Sequence, residues 1–363
     1  MSTTTTATTA AATGKPSIIT IVGSGMMGSA LAFPARENGH TVRLTGTPLD
    51  REIIDTCRAT GRHPKFTKDF PAGVEYYQID ELEKAMAGAD MLICGVSSFG
   101  VDWFAEYMLP RIPESLPVLS VTKGLIEDGD GGLVSYPEYW ARRAAPRKLR
   151  LNAVGGPCTS YELVACDQTV VTFCGDDLET LRWMKSVMQR PYYHIAVSTD
   201  IMGVESAVAL KNAYAYGVCI TIGACERVYG KDSPPHYNSQ AGAFGQSMLE
   251  MQKLLRLLGS NNDEALATGI GDLYVTVFGG RNRLLGKLLG RGMPLDAALK
   301  ELEGITLEGN VIVGRIAKVL RAWAAQGRVD LREFPLIAHL GEVLLDNKPA
   351  EIPWDAFVTE SRR

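Results

Sequence analysis

The segment SIITIVGSGMMGSALA, residues 17–32, restricts the possible folds more than any other stretch of the chain. An apolar, β-branched run ends in Gly23, Gly25 and Gly28, spaced G-x-G-x-x-G, and a helical stretch then runs to Gly39. Each glycine has a separate task in that setting. Gly23 permits the tight turn, Gly25 lets the backbone approach a pyrophosphate, and Gly28 lets the helix pack close to the strand. The helix N-terminus supplies amide donors and a partial positive charge for phosphate. The segment predicts a parallel α/β sheet whose first strand carries a dinucleotide. Met26 and Met27, between the glycines, belong to the same cofactor-binding loop.

The following two hundred residues suit such a sheet. Strands are expected over 17–22, 41–46, 91–96, 118–121, 149–154 and 168–174, with helix-like segments between most of them. Continuous apolar strands alternating with helices indicate a parallel sheet covered on both faces. Residues 61–77 read as an irregular insertion, and LIEDGDGGLV (125–134) as a turn-rich loop. From Thr199 the helical period dominates, over 203–228, 240–259, 263–278, 282–291, 294–303, 308–326 and 334–346. GKDSPPHYNSQAG (230–242) is a loop among them. The expected organisation is a disordered Thr/Ala-rich tail (1–16), a Rossmann-type doubly wound α/β domain (17–198) that binds the dinucleotide, and an all-α substrate and catalytic domain (199–363).

Composition narrows the class. The chain has 363 residues, 46% of them hydrophobic, enough for two packed domains. With 37 basic and 41 acidic residues the formal charge is −4, which disfavours a nucleic-acid partner. No apolar run reaches the roughly 18 residues of a membrane span. The N-terminal tract lacks the basic region and apolar core of a secretory signal, and it lacks arginine. Seven cysteines, an odd number without CxxC, read as reduced core residues of a cytoplasmic protein. Neither they nor the five scattered histidines predict a metal site.

The choice between NAD and NADP stays open. An acid at the end of the second strand would hold a ribose hydroxyl. Here Thr45, Gly46 and Thr47 occupy that end, Asp50 follows three residues later, and Arg51 could receive a 2′-phosphate.

Lys211 poses the second question. It lies in ESAVALKNAYAYGVCITIGAC (205–225), apolar or small on nearly every side. Such a helix is normally buried, and lysine is almost never buried without a partner. Burial lowers a lysine pKa from its usual value of about 10.4 toward neutrality, which is what a proton carrier needs. Asp272, between Ile270 and Leu273, is the expected partner, with Thr276 one turn on and on the same helical face. Arg281, after Gly279 and Gly280 and before Asn282, suits a phosphate dianion through its planar fork.

TKG (122–124), ALKN (209–212), GIGDLYVT (269–276) and GGRNR (279–283) occur in this order. With the glycine loop, GVSSFGV (95–101), GGP (155–157), LEG (307–309) and FPL (334–336), the chain resembles the NAD(P)-dependent sn-glycerol-3-phosphate dehydrogenase family from about Ser17 to Pro349. The resemblance implies a catalytic Lys211 with Asn212 beside it in the substrate pocket. It places Lys123 in the active-site loop, and Asp272 and Thr276 on the GDLxxT helix. Arg281 and Asn282 then hold the substrate phosphate, Arg281 also lies near the cofactor, and Glu308 is a cofactor-side acid; Thr47 is expected among the cofactor-binding residues from its place at the end of the second strand. It further implies glycerol 3-phosphate or dihydroxyacetone phosphate as the small phosphorylated substrate, a role in supplying phospholipid backbones, and a homodimer. The chain departs from the family at Gly155, where a serine is usual, at Cys158, Thr159 and Tyr161, and at TGT, which lacks a Trp-x-Arg feature. These departures leave room for another phosphorylated polyol or a hydroxy acid. A non-catalytic dinucleotide sensor would need the glycines but not Lys211, Asp272 and Arg281 together.

Overall fold

A computed structural model describes residues 15–305 and 307–358, so the Thr/Ala tract up to residue 14 lies outside the described residues. The strands are β1 (Ile18–Val22), β2 (Thr41–Thr45), β3 (Val74–Tyr77), β4 (Met91–Cys94), β5 (Pro117–Ser120), β6 (Leu125–Glu127), β7 (Leu133–Ser135), β8 (Arg150–Gly155), β9 (Thr169–Gly175) and β10 (Tyr193–Ser198). Eight form one sheet in the order β10-β9-β8-β5-β4-β1-β2-β3, and β6 and β7 pair separately as a hairpin. The order reverses beside β1, the switch point at which open α/β sheets bind ligands. β4 and β5 are buried at every residue, as strands covered on both faces should be.

Four features differ from the sequence reading. β8 and β9 run antiparallel, because apolar runs encode burial and not strand direction. The insertion at 61–77 ends in the edge strand β3, and 125–134 is the β6–β7 hairpin, not an irregular loop. β10 alternates between buried and exposed residues at its start, so it lacked the continuous apolar signature used to find the others.

The helices used below are α1 (Met26–Ala30), α2 (Ile201–Tyr229), α3 (Tyr237–Leu257), α4 (Asp263–Gly279), α5 (Asn282–Gly290), α6 (Leu295–Glu301), α7 (Glu308–Ala325) and α8 (Pro335–Leu345). α2 is the axis of the helical part, with α3, α4, α5, α7 and α8 packed around it. Asp200 caps it, its Oδ1 accepting from the Gly203 amide at 2.8 Å. By length and composition α2 could cross a membrane, contrary to the expectation that no run would suffice. However, 78% of its most apolar window is buried inside the protein. Its apolar surface serves the core. α5 approaches α2 closely through glycines: a Cβ at Gly290 would lie 2.1 Å from the Ile220 carbonyl oxygen, and one at Gly223 2.1 Å from that of Lys287.

Glu250 of α3 is fully buried and ties three helices together. It accepts from the Leu336 and Ile337 amides at the start of α8, at 2.7 and 2.9 Å, from Tyr214 of α2 at 3.1 Å, and from Gln246 at 2.8 Å. Burial pushes its pKa up although all four donors oppose this. Glu250→Ala orphans those donors. It is expected to lower unfolding free energy by about 3 kcal/mol, read from urea unfolding.

Candidate active site

The site is assembled where the carboxyl ends of the strands meet the helical part. In the glycine loop, Gly23 has φ +105°, and a Cβ there would lie 2.7 Å from the Gly95 carbonyl carbon. A Cβ at Gly28 would lie 2.4 Å from the Gly23 oxygen. At Gly25 the nearest atom is 3.8 Å away, so that face of the loop is open. Met26 and Met27 begin α1 and pack against the sheet core. The Ser24 and Thr45 hydroxyls are buried without partners. A cradle open at one glycine, with unpartnered hydroxyls behind it, fits a dinucleotide.

The adenosine side is less free than the sequence suggests. Asp50 Oδ2 accepts from the Ser24 amide at 3.2 Å and from the Thr47 amide and hydroxyl, both at 2.8 Å. Thr47 therefore turns its polar groups inward to Asp50, and Arg51 is engaged with Asp80 at 2.7 Å on the surface. His63, inside the insertion, accepts from the Lys65 amide at Nδ1 and so donates from Nε2 to the Ser24 oxygen, each at 3.1 Å. Burial lowers its pKa, which keeps the ring neutral. The insertion thus buttresses the cofactor loop, a role with no signature in the sequence.

Asp272 is 1% exposed and binds two lysines. Oδ1 accepts from Lys211 Nζ at 2.5 Å and Oδ2 from Lys123 Nζ at 2.6 Å. Lys123 also donates to the Gly156 oxygen at 3.0 Å, which ties β5, β8 and α4 together. The two cations share one carboxylate unequally. Burial, helped by the charge of Lys123, holds Lys211 below the ordinary lysine value against the pull of Asp272. Burial also works to lower Lys123, but the charge and hydrogen bond of Asp272 outweigh it and the net shift is upward. Sequence reasoning anticipated the pairing of Lys211 with Asp272, not the sharing with Lys123.

A cavity of about 180 Å³ opens beside this cluster, lined by Lys211, Asn212, Asp272, Thr276, Arg281, Asn282 and Glu308. That suits a small metabolite better than a drug-sized ligand. Thr276 shares the helical face of Asp272 but gives its hydroxyl proton to the Asp272 backbone oxygen at 2.7 Å, not to the carboxylate. Asn282 donates to Asn212 at 3.1 Å and accepts from the Gly309 amide at 3.2 Å, a buried amide chain joining α5, α2 and α7. Glu308 accepts from Ser98 Oγ at 3.0 Å, which bridges the loop after β4 to α7. Arg281 is exposed at the start of α5 and makes no ion pair among the described residues. Cys158 and Thr159 also line the cavity, as do Val275, Gly279 and Gly280. Burial pushes the Cys158 thiol up to about 12, so it is neutral. Among the described residues no group of three His, Cys, Asp or Glu could hold a metal. All seven cysteines are free.

Comparison with known proteins agrees with this architecture. Residues 18–180 match the N-terminal and 200–354 the C-terminal family model of NAD-dependent glycerol-3-phosphate dehydrogenase. The NADP(+)-dependent glycerol-3-phosphate dehydrogenase of Archaeoglobus fulgidus is 34% identical over 288 residues, covering 79% of this chain and 84% of the relative. The glycerol-3-phosphate dehydrogenase [NAD(P)+] of Koribacter versatilis is 28% identical, covering 80% and 84%. Among solved structures, the glycerol-3-phosphate dehydrogenase of Plasmodium falciparum superposes with a TM-score of 0.79 at 19% identity, covering 96% of this chain and 97% of that one. The enzyme from Coxiella burnetii gives 0.76 at 22%, covering 94% and 98%. With both halves matched by the family's own models and a relative above 30% identity across most of its length, the chain belongs to the NAD-dependent glycerol-3-phosphate dehydrogenase family.

Proposed function

We propose that the chain interconverts dihydroxyacetone phosphate and glycerol 3-phosphate with NADH or NADPH, and that Lys211 carries the proton. The observation that carries the lysine reading is the buried Lys211–Asp272–Lys123 cluster at the edge of a small cavity. The nicotinamide, when bound, supplies or accepts the hydride. In reduction the Lys211 ammonium donates its proton to the substrate oxygen; in oxidation the neutral amine removes it. Asp272 holds Lys211 in place and steadies its charged form. Lys123, more firmly protonated, supplies a fixed positive charge for the oxygen as its own charge develops. Arg281 and Asn282, at the start of α5, grip the phosphate, which sets the distance from the reacting carbon to Lys211. Gly23, Gly25, Met26, Met27 and Gly28 form the cofactor cradle, with Glu308 on the same side.

The test is loss of NAD(P)H absorbance with dihydroxyacetone phosphate, both cofactors run in parallel and other phosphorylated ketoses beside them. Turnover with none of these would reject the reading. The ratio of cofactors reports what Asp50 and Thr47 permit. Arg281→Ala should raise KM for the phosphorylated substrate about tenfold or more while moving kcat less, because a charged hydrogen bond to phosphate contributes about 1.5–3 kcal/mol. An unchanged KM would remove Arg281 from the phosphate site. The proposal extends to a cytoplasmic location, suggested by seven unpaired thiols, to supply of phospholipid backbones, and to a homodimer carried over from the family. Light scattering on the purified protein tests the last.

A further inference from the structure

The end of the second strand is where an acid would grip the adenosine ribose of a bound dinucleotide, and the first residue after β2 is Gly46. That end lies against the cofactor loop, since the Gly23 amide donates to the Thr45 oxygen at 2.9 Å. The chain then folds back: the Asp50 amide donates to the Thr47 oxygen at 3.0 Å. A Cβ at Gly46 would lie 3.1 Å from the Asp50 Cβ and 2.9 Å from Ile54 Cγ1. The Asp50 side chain therefore fills the space that a side chain at residue 46 would use. The bare glycine is what admits it, so an acid stands at the strand end although the local sequence TGT contains none.

The carboxylate is aimed as well as placed. Its Oδ2 accepts from the Ser24 amide, inside the G-x-G turn, at 3.2 Å, and from the Thr47 amide and hydroxyl at 2.8 Å. Three donors on one oxygen fix the group beside the cradle. Among the described residues no donor reaches Oδ1, which leaves it as an acceptor. The cations of this edge are spent elsewhere. Arg51 binds Asp80 at 2.7 Å. Arg43 of β2 donates to the Ala85 and Ala87 oxygens at 3.2 and 2.7 Å, and its Nε lies 3.4 Å from Glu75. Arg62 lies 3.7 Å from Asp69. Burial keeps the His63 ring neutral, and Nε2 donates to the Ser24 oxygen. Lys65 is exposed and makes no ion pair among the described residues. A charge at the end of a mobile, hydrated side chain counts for little against a carboxylate held in place.

We propose that Asp50 selects NAD(H) over NADP(H): Oδ1 accepts from the 2′-hydroxyl of the adenosine ribose, and the same negative charge repels a 2′-phosphate. Discrimination of this kind is a difference of two affinities, and the repulsive half of it is supplied by the charge itself. Swinging Arg51 to a 2′-phosphate would break its pair with Asp80 and bring the phosphate toward Asp50. The inference rests on the glycine loop as a cofactor cradle. It does not rest on the identity of the substrate or on Lys211 as the proton carrier.

The experiment is calorimetric titration, without substrate, of the wild type, Asp50→Asn and Arg51→Ala. The probes are NADH, NADPH, ADP-ribose and 2′-phospho-ADP-ribose. Wild type should bind the unphosphorylated member of each pair at least about tenfold tighter, the worth of one close like-charge contact at a partly solvated site. The gap should narrow as salt rises from about 0.05 to 0.5 M, because the carboxylate acts by charge and charge is screened. In Asp50→Asn it should shrink to within about threefold, largely through tighter binding of the phosphorylated probes. Arg51→Ala should leave the ratio within about twofold, since its partner is a surface carboxylate. Thermal melts report whether Asp50→Asn keeps its fold; the salt series on wild type decides the matter if it does not. Equal affinities in wild type, or tighter NADPH, would overturn the proposal. So would a preference that persists in folded Asp50→Asn and ignores salt. Binding of none of the four probes would overturn the cradle and the proposal with it. Selective binding without turnover of any phosphorylated ketose would support Asp50 as the selector and reject only the reaction proposed above.

Discussion

Lys211→Ala should lose about 10²- to 10⁴-fold in kcat, the usual worth of a positioned proton carrier. Cofactor affinity, followed by nucleotide fluorescence, should stay within about twofold of wild type, because the glycine cradle lies on the sheet and Lys211 on α2. Activity retained within tenfold would move the proton to another group. The wild-type pH dependence carries a sign. Reduction uses the ammonium and falls as pH rises through the Lys211 pKa, while oxidation uses the amine and rises over the same range. Because burial lowers that pKa, both limbs are displaced toward neutrality relative to a free lysine. External primary amines should restore part of the variant's activity, since they supply the missing group without its tether.

Asp272→Asn should damage both folding and catalysis. It replaces the carboxylate with a neutral amide between two ammonium groups whose side chains are only 13% and 18% exposed. Removing one partner of a buried ion pair costs about 3–5 kcal/mol. Some solvent contact at the lysines places the expectation toward the lower end. One lysine in the variant will surrender its proton on folding, so the unfolded chain binds more protons. Stability should then rise with pH, and the gap to wild type should narrow between about pH 7 and 9. Urea unfolding at the two ends of that range tests it. A gap that is constant with pH would mean that the lysines are not held charged by this carboxylate.

The parts of the molecule that were legible in the sequence share a property: local pattern determined them. The run into Gly23, Gly25 and Gly28 carries its own turn, and the long 3.6-residue periods gave α2 to α8 to within a few residues. Burial of Lys211 in apolar surroundings demanded an acid, and Asp272 stands there at 2.5 Å. What was hidden depends on partners distant in the chain. The direction of β9 is decided by which neighbour it meets, not by its own residues. Lys123 reaches Asp272 across 149 residues, and Ser98 reaches Glu308 across 210. Thr47 and Asp50, both polar and near a strand end, could each have faced a ribose; only the fold reveals that they bind each other. His63 was unreadable for the same reason, since its role is to hold a backbone oxygen 39 residues earlier.

The glycine crossing between α2 and α5 acts as a fulcrum. Gly290 rests on the Ile220 carbonyl, and Arg281 stands nine residues away along the same helix, roughly 13 Å at 1.5 Å per residue. A methyl group at the crossing would tilt α5 outward and swing its first residues through a larger arc. Lys211 lies on α2, the other arm, so under the proposed roles the reach from Lys211 to Arg281 would depend on a contact that touches neither. A side chain at Gly290 is therefore expected to disturb the fit of the proposed phosphorylated substrate although Gly290 does not line the cavity.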